Sequence, residues 1–429
     1  MRSTSAFVQG ASNDAPTSAR CRYCDGRPFA FYFCLLAFKA LYLALLSLFL
    51  LNAGDLDEST FHSVNAQWPR EGPPVFPSHF ATWDAAHYLR LSELGYAAAG
   101  DSCAFYPLWP LVVRYLSPGF NGSHVLTGVV IANSLSAYAW LLFYKVIRRQ
   151  YGQTIAIRAL LLLVAYPGAL FFQFNYTESL FFLLTMLLWD GLARGEYWRV
   201  IVAAFLLPIT RAVGVFALLP IVWHALETVG FPWAGIHNMA TSVRPAYRNR
   251  SAIWALPIIP VLGWTCYLAL MWSWTDNPFQ GFVVQRHWGV HSIGNLVNVP
   301  KFAVALASPT DWHAFRGSLL DRLVFICVAW TIPVLWRVDR RLLIWIYWLG
   351  ILPAMSGMFT SYMRFASCAF PIFVALAAFT SELGGSRQAG DQGLRPDSIW
   401  NWRFGGLLII MATLHALMVW RFVNFRWAG

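Results

Sequence analysis

The residues best suited to chemistry lie in a polar stretch near the start of the chain, where Asp84 and His87 are three positions apart. A helix that begins at Trp83 has 3.6 residues per turn, so Asp84, His87 and Tyr88 share one face. A carboxylate and an imidazole can then converge on one point, and such a carboxylate can accept a proton from a hydroxyl group. The alternative is that Asp84 only caps the helix and that His87 is a hydrogen-bonded polar group.

The elements that must position these residues are apolar helices. The chain has 429 residues, of which 58% are hydrophobic and 12% charged, about half the charge of a soluble globular protein. The apolar residues form blocks of roughly 18 to 25, long enough for a helix to cross about 30 Å of hydrocarbon. We predict an all-α polytopic membrane protein with about 11 transmembrane or half-spanning helices. The net charge of +11 does not indicate nucleic acid, because the basic residues lie in short loops between apolar blocks.

Charge and hydropathy divide the chain into a cytoplasmic tail, 1–27, and one membrane domain, 28–429. Within that domain, 52–122 is predicted to form a large extracytoplasmic loop with interfacial helices, and 381–403 a cytoplasmic linker. Lys39, inside the first apolar block, either snorkels or faces the protein interior. The predicted spans cover 28–51, 124–147, 159–174, 179–193, 200–224 as two half-spans, 253–274, 319–336, 342–359, 365–379 and 404–423.

The half-spans follow from the topology. A single span at 200–224 would place the basic segment 244–250 outside, against the preference of positive charge for the cytoplasmic side. Pro208 and Gly214 interrupt the stretch, with Arg211 between them. We therefore predict two half-spans that meet near Arg211. An arginine in this setting is costly and usually functional.

Several motifs resemble a known family. The string WDAAHYLRLSELGY at 83–96, followed by AFYPLWPLVVR, closely resembles the first luminal loop of the PIG-V family, whose members add the second mannose during GPI-anchor synthesis. The aromatic rings of this loop, among them Tyr88 and Trp109, suit a helix on the bilayer surface. Further matches follow in order: PGALFFQFNYTESLF at 167–181, ARGEYWR at 193–199, ITRAVG at 209–214 and YMRFASCAFPIF at 362–373.

The resemblance implies a GT-C type membrane glycosyltransferase with its site at the extracytoplasmic face. Its donor would be polyprenyl- or dolichyl-phosphate mannose, and transfer would invert the anomeric carbon, with a GPI-anchor-like α-1,6 linkage. Asp84 then looks like the catalytic base. The departing lipid phosphate needs positive charge, and Arg364, between two apolar blocks, has a planar guanidinium that suits a phosphate at headgroup depth. Arg364 could instead be a snorkelling arginine.

Other residues are candidates for binding the phosphate or the acceptor. His87 and Arg211 supply positive charge, although an ion pair with Glu178 would explain Arg211 equally well. Glu178 could hold acceptor hydroxyls or position a basic residue. Arg286 and His287 lie in a later outer loop, where ordinary exposed polar groups are the better explanation.

No cofactor is expected beyond the donor, because the lipid phosphate is its own leaving group and the sequence has no ligand cluster that demands a metal. The expected partners are membrane lipids, the lipid-phosphate mannose and a lipid or glycan acceptor, but no nucleic acid. A small membrane partner subunit is left open. The compact chain, which lacks a dilysine-type tail, favours a bacterial plasma membrane over the endoplasmic reticulum. The competing classes are a polytopic transporter and a non-catalytic membrane subunit.

Overall fold

A computed structural model describes residues 28–52, 58–65, 67–69, 73–97, 100–228, 253–288, 293–355, 359–381 and 399–429. The regular secondary structure of this part of the chain is helical, and it contains no strand. The predicted cytoplasmic tail, the basic segment 244–250 and most of the predicted linker 381–403 lie outside the described residues.

The helices follow the apolar blocks of the sequence. Each predicted span or half-span coincides with one or more helices. The helices are α1 (Pro28–Leu51), α2 (Glu58–Val64), α3 (Asp84–Leu94), α4 (Leu108–Leu116), α5 (His124–Tyr151), α6 (Gln153–Ala165), α7 (Glu178–Arg194), α8 (Tyr197–Thr210), α9 (Leu218–Thr228), α10 (Ile258–Thr275), α11 (Gln280–Trp288), α12 (Val299–Ala307), α13 (Leu319–Val338), α14 (Leu342–Ile346), α15 (Leu352–Met355), α16 (Tyr362–Ala366), α17 (Pro371–Thr380) and α18 (Trp402–Val423).

Five of the described helices are long and apolar enough to cross a membrane, namely α1, α5, α10, α13 and α18. Shorter apolar helices lie between them, and three predicted spans differ from the structure. The predicted span 159–174 is divided, because α6 ends at Ala165 and a 3₁₀ segment, Pro167–Phe172, follows. The predicted span 342–359 is interrupted by a π-helical turn, Tyr347–Ile351. The predicted span 365–379 begins later, at Pro371, because α16 and a turn occupy its first residues.

The predicted break near Arg211 is confirmed. Helix α8 ends at Thr210, Arg211 is extended, and a 3₁₀ segment, Ala212–Ala217, leads into α9. A β-carbon at Gly214 would lie only 2.1 Å from the carbonyl oxygen of Leu207. The two half-spans therefore meet at a point that only glycine allows, and the side chain of Arg211 projects from the break.

Lys39 faces the interior of the helix bundle, one of its two predicted positions. Its side chain is buried, and its ammonium donates to Oε1 of Gln173 at 3.1 Å. The same nitrogen lies 3.9 Å from the centre of the Trp140 ring. An amide oxygen and an aromatic face thus replace water around this charge.

The first-loop helix, predicted to lie at the bilayer surface, is largely enclosed by other parts of the protein. Eight of the eleven residues of α3 are buried, and Trp109 is fully buried, with its indole nitrogen donating to Oδ1 of Asn175 at 2.7 Å. Tyr88 packs edge-on against Tyr176. These aromatic rings pack against the protein's own segment 166–177, which contains a 3₁₀ helix, Pro167–Phe172. By contrast, α12 has no buried residue.

Candidate active site

Asp84 is the first residue of α3, at the point where the chain turns sharply into the helix. Trp83 precedes it in a left-handed conformation (φ 58°), and the backbone N–H of Trp83 donates to Oδ1 of Asn65 at 2.9 Å. The capping position belongs to Trp83, which makes no side-chain cap. The alternative in which Asp84 only caps the helix is therefore excluded, and its carboxylate is directed elsewhere.

The carboxylate of Asp84 belongs to a chain of four charged side chains, which we call the ion network. Nη1 of Arg364 contacts Oδ2 of Asp84 directly. Nε of Arg364 lies 3.1 Å from Oε1 of Glu178, and Nη2 of Arg211 donates to the same oxygen at 2.8 Å. The structure thus joins four predicted site residues, Asp84, Glu178, Arg211 and Arg364, in one neutral group of two carboxylates and two guanidiniums.

Three members of the ion network come from points where a helix begins or ends, and Arg364 comes from a very short helix. Glu178 is the first residue of α7, where the partial positive charge of the helix N-terminus favours a carboxylate. Arg211 lies at the break after α8, and Arg364 in the five-residue helix α16. The charged side chains therefore lie where helix ends meet, and not on the apolar faces along which the helices pack.

Burial differs along the network. The Glu178 side chain is fully buried, those of Arg364 and Arg211 are 7% and 11% exposed, and that of Asp84 is 15% exposed. Asp84 is therefore the carboxylate that a substrate can reach. Glu178 is enclosed and serves to hold the two arginines, since a buried charge needs a close partner.

Aromatic rings surround the guanidinium of Arg364. Its central carbon lies 5.0 Å from the ring centre of Phe365, 5.3 Å from Tyr176 and 5.5 Å from Phe171. Burial lowers the pKa of Arg364, but the carboxylates of Asp84 and Glu178 outweigh this effect and raise it overall. The group is a fixed positive charge whose position is confined by rings on several sides.

The phenols near the ion network are neutral. Burial, and then the charge of Asp84, raise the pKa of Tyr176 well above its usual value, and its hydroxyl donates to the carbonyl oxygen of Thr82 at 2.9 Å. Burial also raises the pKa of Tyr88. Neither phenol competes with Asp84 as a base at neutral pH.

His87 shares a face of α3 with Asp84, as predicted, but its ring is held by the 3₁₀ segment Gly100–Ala104 and the residue after it. Nδ1 pairs with the Ser102 hydroxyl at 2.9 Å, and the ring stacks on Phe105 at 4.5 Å. Burial lowers the pKa of His87 to about 4. The imidazole is therefore neutral and does not supply the positive charge predicted for it.

Arg286 and His287 lie on α11, away from the ion network. Gln285 of this helix donates to the carbonyl oxygen of Ala104 at 3.3 Å, which places α11 against the first loop. Arg286 is exposed and forms no ion pair with any described residue. The side chain of His287 is outside the described part of the chain. The exposure of Arg286 thus agrees with the interpretation of this residue as an ordinary exposed polar group.

Asn175 is a buried polar residue close to Glu178 in the sequence. It is fully buried, it accepts the Trp109 hydrogen bond, and its side chain lies against Gly128, where a β-carbon would be 2.4 Å from Oδ1. Asn175 belongs to the triplet Asn-Tyr-Thr, a glycosylation sequon pattern. Its burial shows that it is instead part of the scaffold beside Glu178.

The described residues contain no group of three His, Cys, Asp or Glu side chains that could hold a metal ion. The ion network itself presents one partly exposed carboxylate and two guanidiniums. Such a set can accept a proton and bind an anion at the same place.

The helices and the ion network define a polytopic membrane protein with a proton acceptor next to an anion-binding group. Residues 50–254 match the family model described as Mannosyltransferase (PIG-V). This match confirms the resemblance found in the sequence over that segment, which is similar to the PIG-V mannosyltransferases. Asp84, Glu178 and Arg211 lie inside the matched segment, whereas Arg364 lies outside it.

The chain was also compared with curated proteins and with solved structures. No curated protein matches the chain. Among solved structures, the chain is similar to an oligosaccharyltransferase from Archaeoglobus fulgidus, crystallised with a tethered acceptor peptide, at 12% sequence identity and a TM-score of 0.40. The similarity covers 95% of this chain and 56% of that one, so this chain spans little more than half the length of that enzyme.

Proposed function

We propose that the protein transfers mannose from a polyprenyl- or dolichyl-phosphate donor to a hydroxyl group of a lipid-linked or glycan acceptor at the extracytoplasmic membrane face. The observation that carries this proposal is the contact between Asp84, the most exposed member of the ion network, and the guanidinium of Arg364. A general base and a phosphate ligand are thereby adjacent, as transfer from a sugar phosphate requires.

In the proposed reaction, Asp84 accepts the proton of the acceptor hydroxyl as its oxygen attacks the anomeric carbon. The bond from that carbon to the phosphate oxygen breaks, and its electron pair leaves with the lipid phosphate. Arg364 stabilises the charge that develops on the departing phosphate. Because attack and departure occur on opposite faces of the sugar, the configuration at the anomeric carbon inverts.

The ion network also suggests that the donor must bind before Asp84 can act as a base. While Arg364 is bound to Asp84, the guanidinium occupies one oxygen of the carboxylate. A donor phosphate competes with Asp84 for Arg364 and so releases the carboxylate to act. Glu178 meanwhile keeps both arginines in place, since its Oε1 contacts Arg364 and Arg211 together.

The test compares the purified native protein with Asp84→Asn, supplied with polyprenyl-phosphate mannose and a candidate acceptor. We expect transfer to fall by at least about 100-fold, because an amide cannot accept the proton. The matched control is Asp190→Asn, which alters a buried carboxylate bound to Arg149 and Arg199 in a separate cluster. Equal transfer by the native protein and Asp84→Asn would remove Asp84 from the mechanism.

The alternative of a transporter is less well supported. A transporter was favoured by the polytopic topology and by the intramembrane Arg211. The ion pair between Arg211 and Glu178, at 2.8 Å, accounts for that arginine without a transport pathway. A non-catalytic subunit would give no transfer with any acceptor in the assay above. The α-1,6 linkage, the GT-C architecture and a bacterial plasma membrane remain parts of the proposal, and the family match supports the first two. The absence of a cofactor is a further part, and undiminished transfer in the presence of a chelator would support it.

A further inference from the structure

The turn that carries Arg364 has an unusual backbone. Phe359 and Ser361 have φ values of 62° and 58°, a left-handed region that residues other than glycine rarely adopt. The helix that follows, α16, is only five residues long. A single helical turn does not hold its own conformation, so the position of Arg364 must be set by neighbouring elements.

A carboxylate of another helix holds this turn. Oδ1 of Asp321, the third residue of α13, accepts the backbone N–H of Met363 at 2.7 Å. The backbone carbonyl of Met363 accepts the Tyr166 hydroxyl at 2.9 Å. Both polar backbone groups of the residue before Arg364 are therefore fixed by buried side chains.

Asp321 is fully buried, and its own position is fixed by the Ser318 hydroxyl, which accepts its backbone N–H at 3.2 Å. Its second oxygen lies 3.6 Å from Nδ1 of His313. Burial lowers the pKa of His313 to about 4, so this imidazole is neutral. The guanidinium of the adjacent Arg322 donates instead to the carbonyl oxygens of Ala305 and Ser318, at 2.8 and 2.6 Å.

Asp321 is thus a buried carboxylate, and it forms no ion pair with an arginine or lysine among the described residues. Keeping such a group away from water is costly unless its hydrogen bonds serve a purpose. Its shortest described hydrogen bond goes to the backbone next to Arg364. An apolar residue at this position would leave the N–H of Met363 without an acceptor.

We propose that Asp321 is a positioning residue for sugar transfer: by holding the backbone of Met363, it sets where the Arg364 guanidinium meets the Asp84 carboxylate and the donor phosphate. This inference rests on the proposed function. It adds a residue that touches neither substrate, and it connects α13 to the ion network through one backbone amide.

The test is a double-mutant cycle of Asp321→Ala and Arg364→Lys in the purified full-length protein. We expect Asp321→Ala alone to lower kcat/KM for the lipid donor by about 10- to 100-fold, because displacement of a reacting group by about 1 Å costs that much. In the Arg364→Lys background the same change should cost less than about threefold, since the group that it positions is already altered. Asp321→Asn keeps an oxygen acceptor and should retain most of the activity.

The control is again Asp190→Asn, which should lower the melting temperature without any coupling to Arg364→Lys. Equal losses from Asp321→Ala in both backgrounds would show an independent structural role and overturn the inference.

A second readout does not depend on activity. Amide hydrogen exchange of 359–366 should be faster in Asp321→Ala, while 178–194 keeps its native rate. Unchanged exchange at 359–366 would refute the inference, whatever the protein's activity. Faster exchange in a protein that transfers no mannose from the donor would instead reject the proposed function and leave the contact in place.

Discussion

Asp84 and Arg364 form a direct ion pair although 280 positions separate them in the sequence. The pair joins the first loop to a short helix late in the chain, and Glu178 links both to Arg211. The site therefore exists only when distant parts of the chain have packed together. The measurable consequences concern the ion network, the histidine beside it and the topology of the chain.

Glu178 is expected to stabilise the fold as the shared partner of two arginines. Glu178→Gln leaves two buried guanidiniums facing one carboxylate, and breaking a buried ion pair in this way costs about 3–5 kcal/mol. The loss of unfolding free energy is measured by thermal or denaturant unfolding in detergent. Adding Arg211→Gln removes one unpaired charge. The double variant should therefore lose less unfolding free energy than the sum of the losses in the two single variants.

The control for this prediction is Glu196→Gln. Glu196 pairs with Arg194 and Arg199, and these side chains are 25–50% exposed. Exposed pairs contribute about 0–1 kcal/mol, so this variant should unfold close to the native temperature. If Glu178→Gln were no less stable than Glu196→Gln, the ion network would not contribute to stability in the way described.

His87 should make the folded state sensitive to acid. Its pKa is about 4 in the folded protein, against a usual value of 6.5. The neutral form is favoured by folding, so this stabilisation is present above pH 6.5 and is lost as the pH falls towards 4, in total roughly 3 kcal/mol. His87→Gln cannot be protonated, and its stability should fall less steeply between pH 6.5 and 4 than that of the native protein.

The measurement is the melting temperature of both proteins across this pH range. His62→Gln is the control, because His62 is partly exposed and lies on α2, outside the site. It should show the native slope. A native slope in His87→Gln as well would mean that His87 does not remain neutral in the folded protein.

The break at Arg211 has a consequence for topology. If α8 and α9 are half-spans, the chain returns to the cytoplasmic side, and the segment 244–250, which lies outside the described residues, is cytoplasmic. A cysteine at Ala246 in a cysteine-free background should then resist an impermeant thiol reagent applied from outside. A cysteine at Asn121, in the loop before α5, should be labelled and serves as the positive control. Ready labelling at 246 would contradict the half-span hairpin.

Much of the helical architecture could be predicted because apolar block length and the position of basic residues depend on local sequence. The break at Arg211 followed from Pro208, Gly214 and the basic segment beyond it. The burial of the first-loop helix was not evident from the sequence, because the same aromatic rings suit a bilayer surface and a protein interior. The segment 166–177 packs against these rings, and its conformation is not evident from residue types.

The site was predictable in part. Asp84 was found from its type and its position at the start of a helix, and the pairing of Arg211 with Glu178 was one of two interpretations considered. The pairing of Asp84 with Arg364 could not be derived, because no local pattern connects residues so far apart. His87 was placed on the correct face, but the sequence could not show that the segment Gly100–Ala104 would hold its ring in an apolar environment.

The positions of the four charged residues in the sequence limit which chimeras with a homologue can keep the ion network intact. Three of them come from the segment that matches the mannosyltransferase family and the fourth from the part that follows it. A chimera that joined the first 254 residues to the remainder of a distant homologue would therefore divide the ion network. Such a hybrid would need an incoming guanidinium at the place of Arg364, and a graft that lacked it would leave Asp84 without its partner and Glu178 with Arg211 alone.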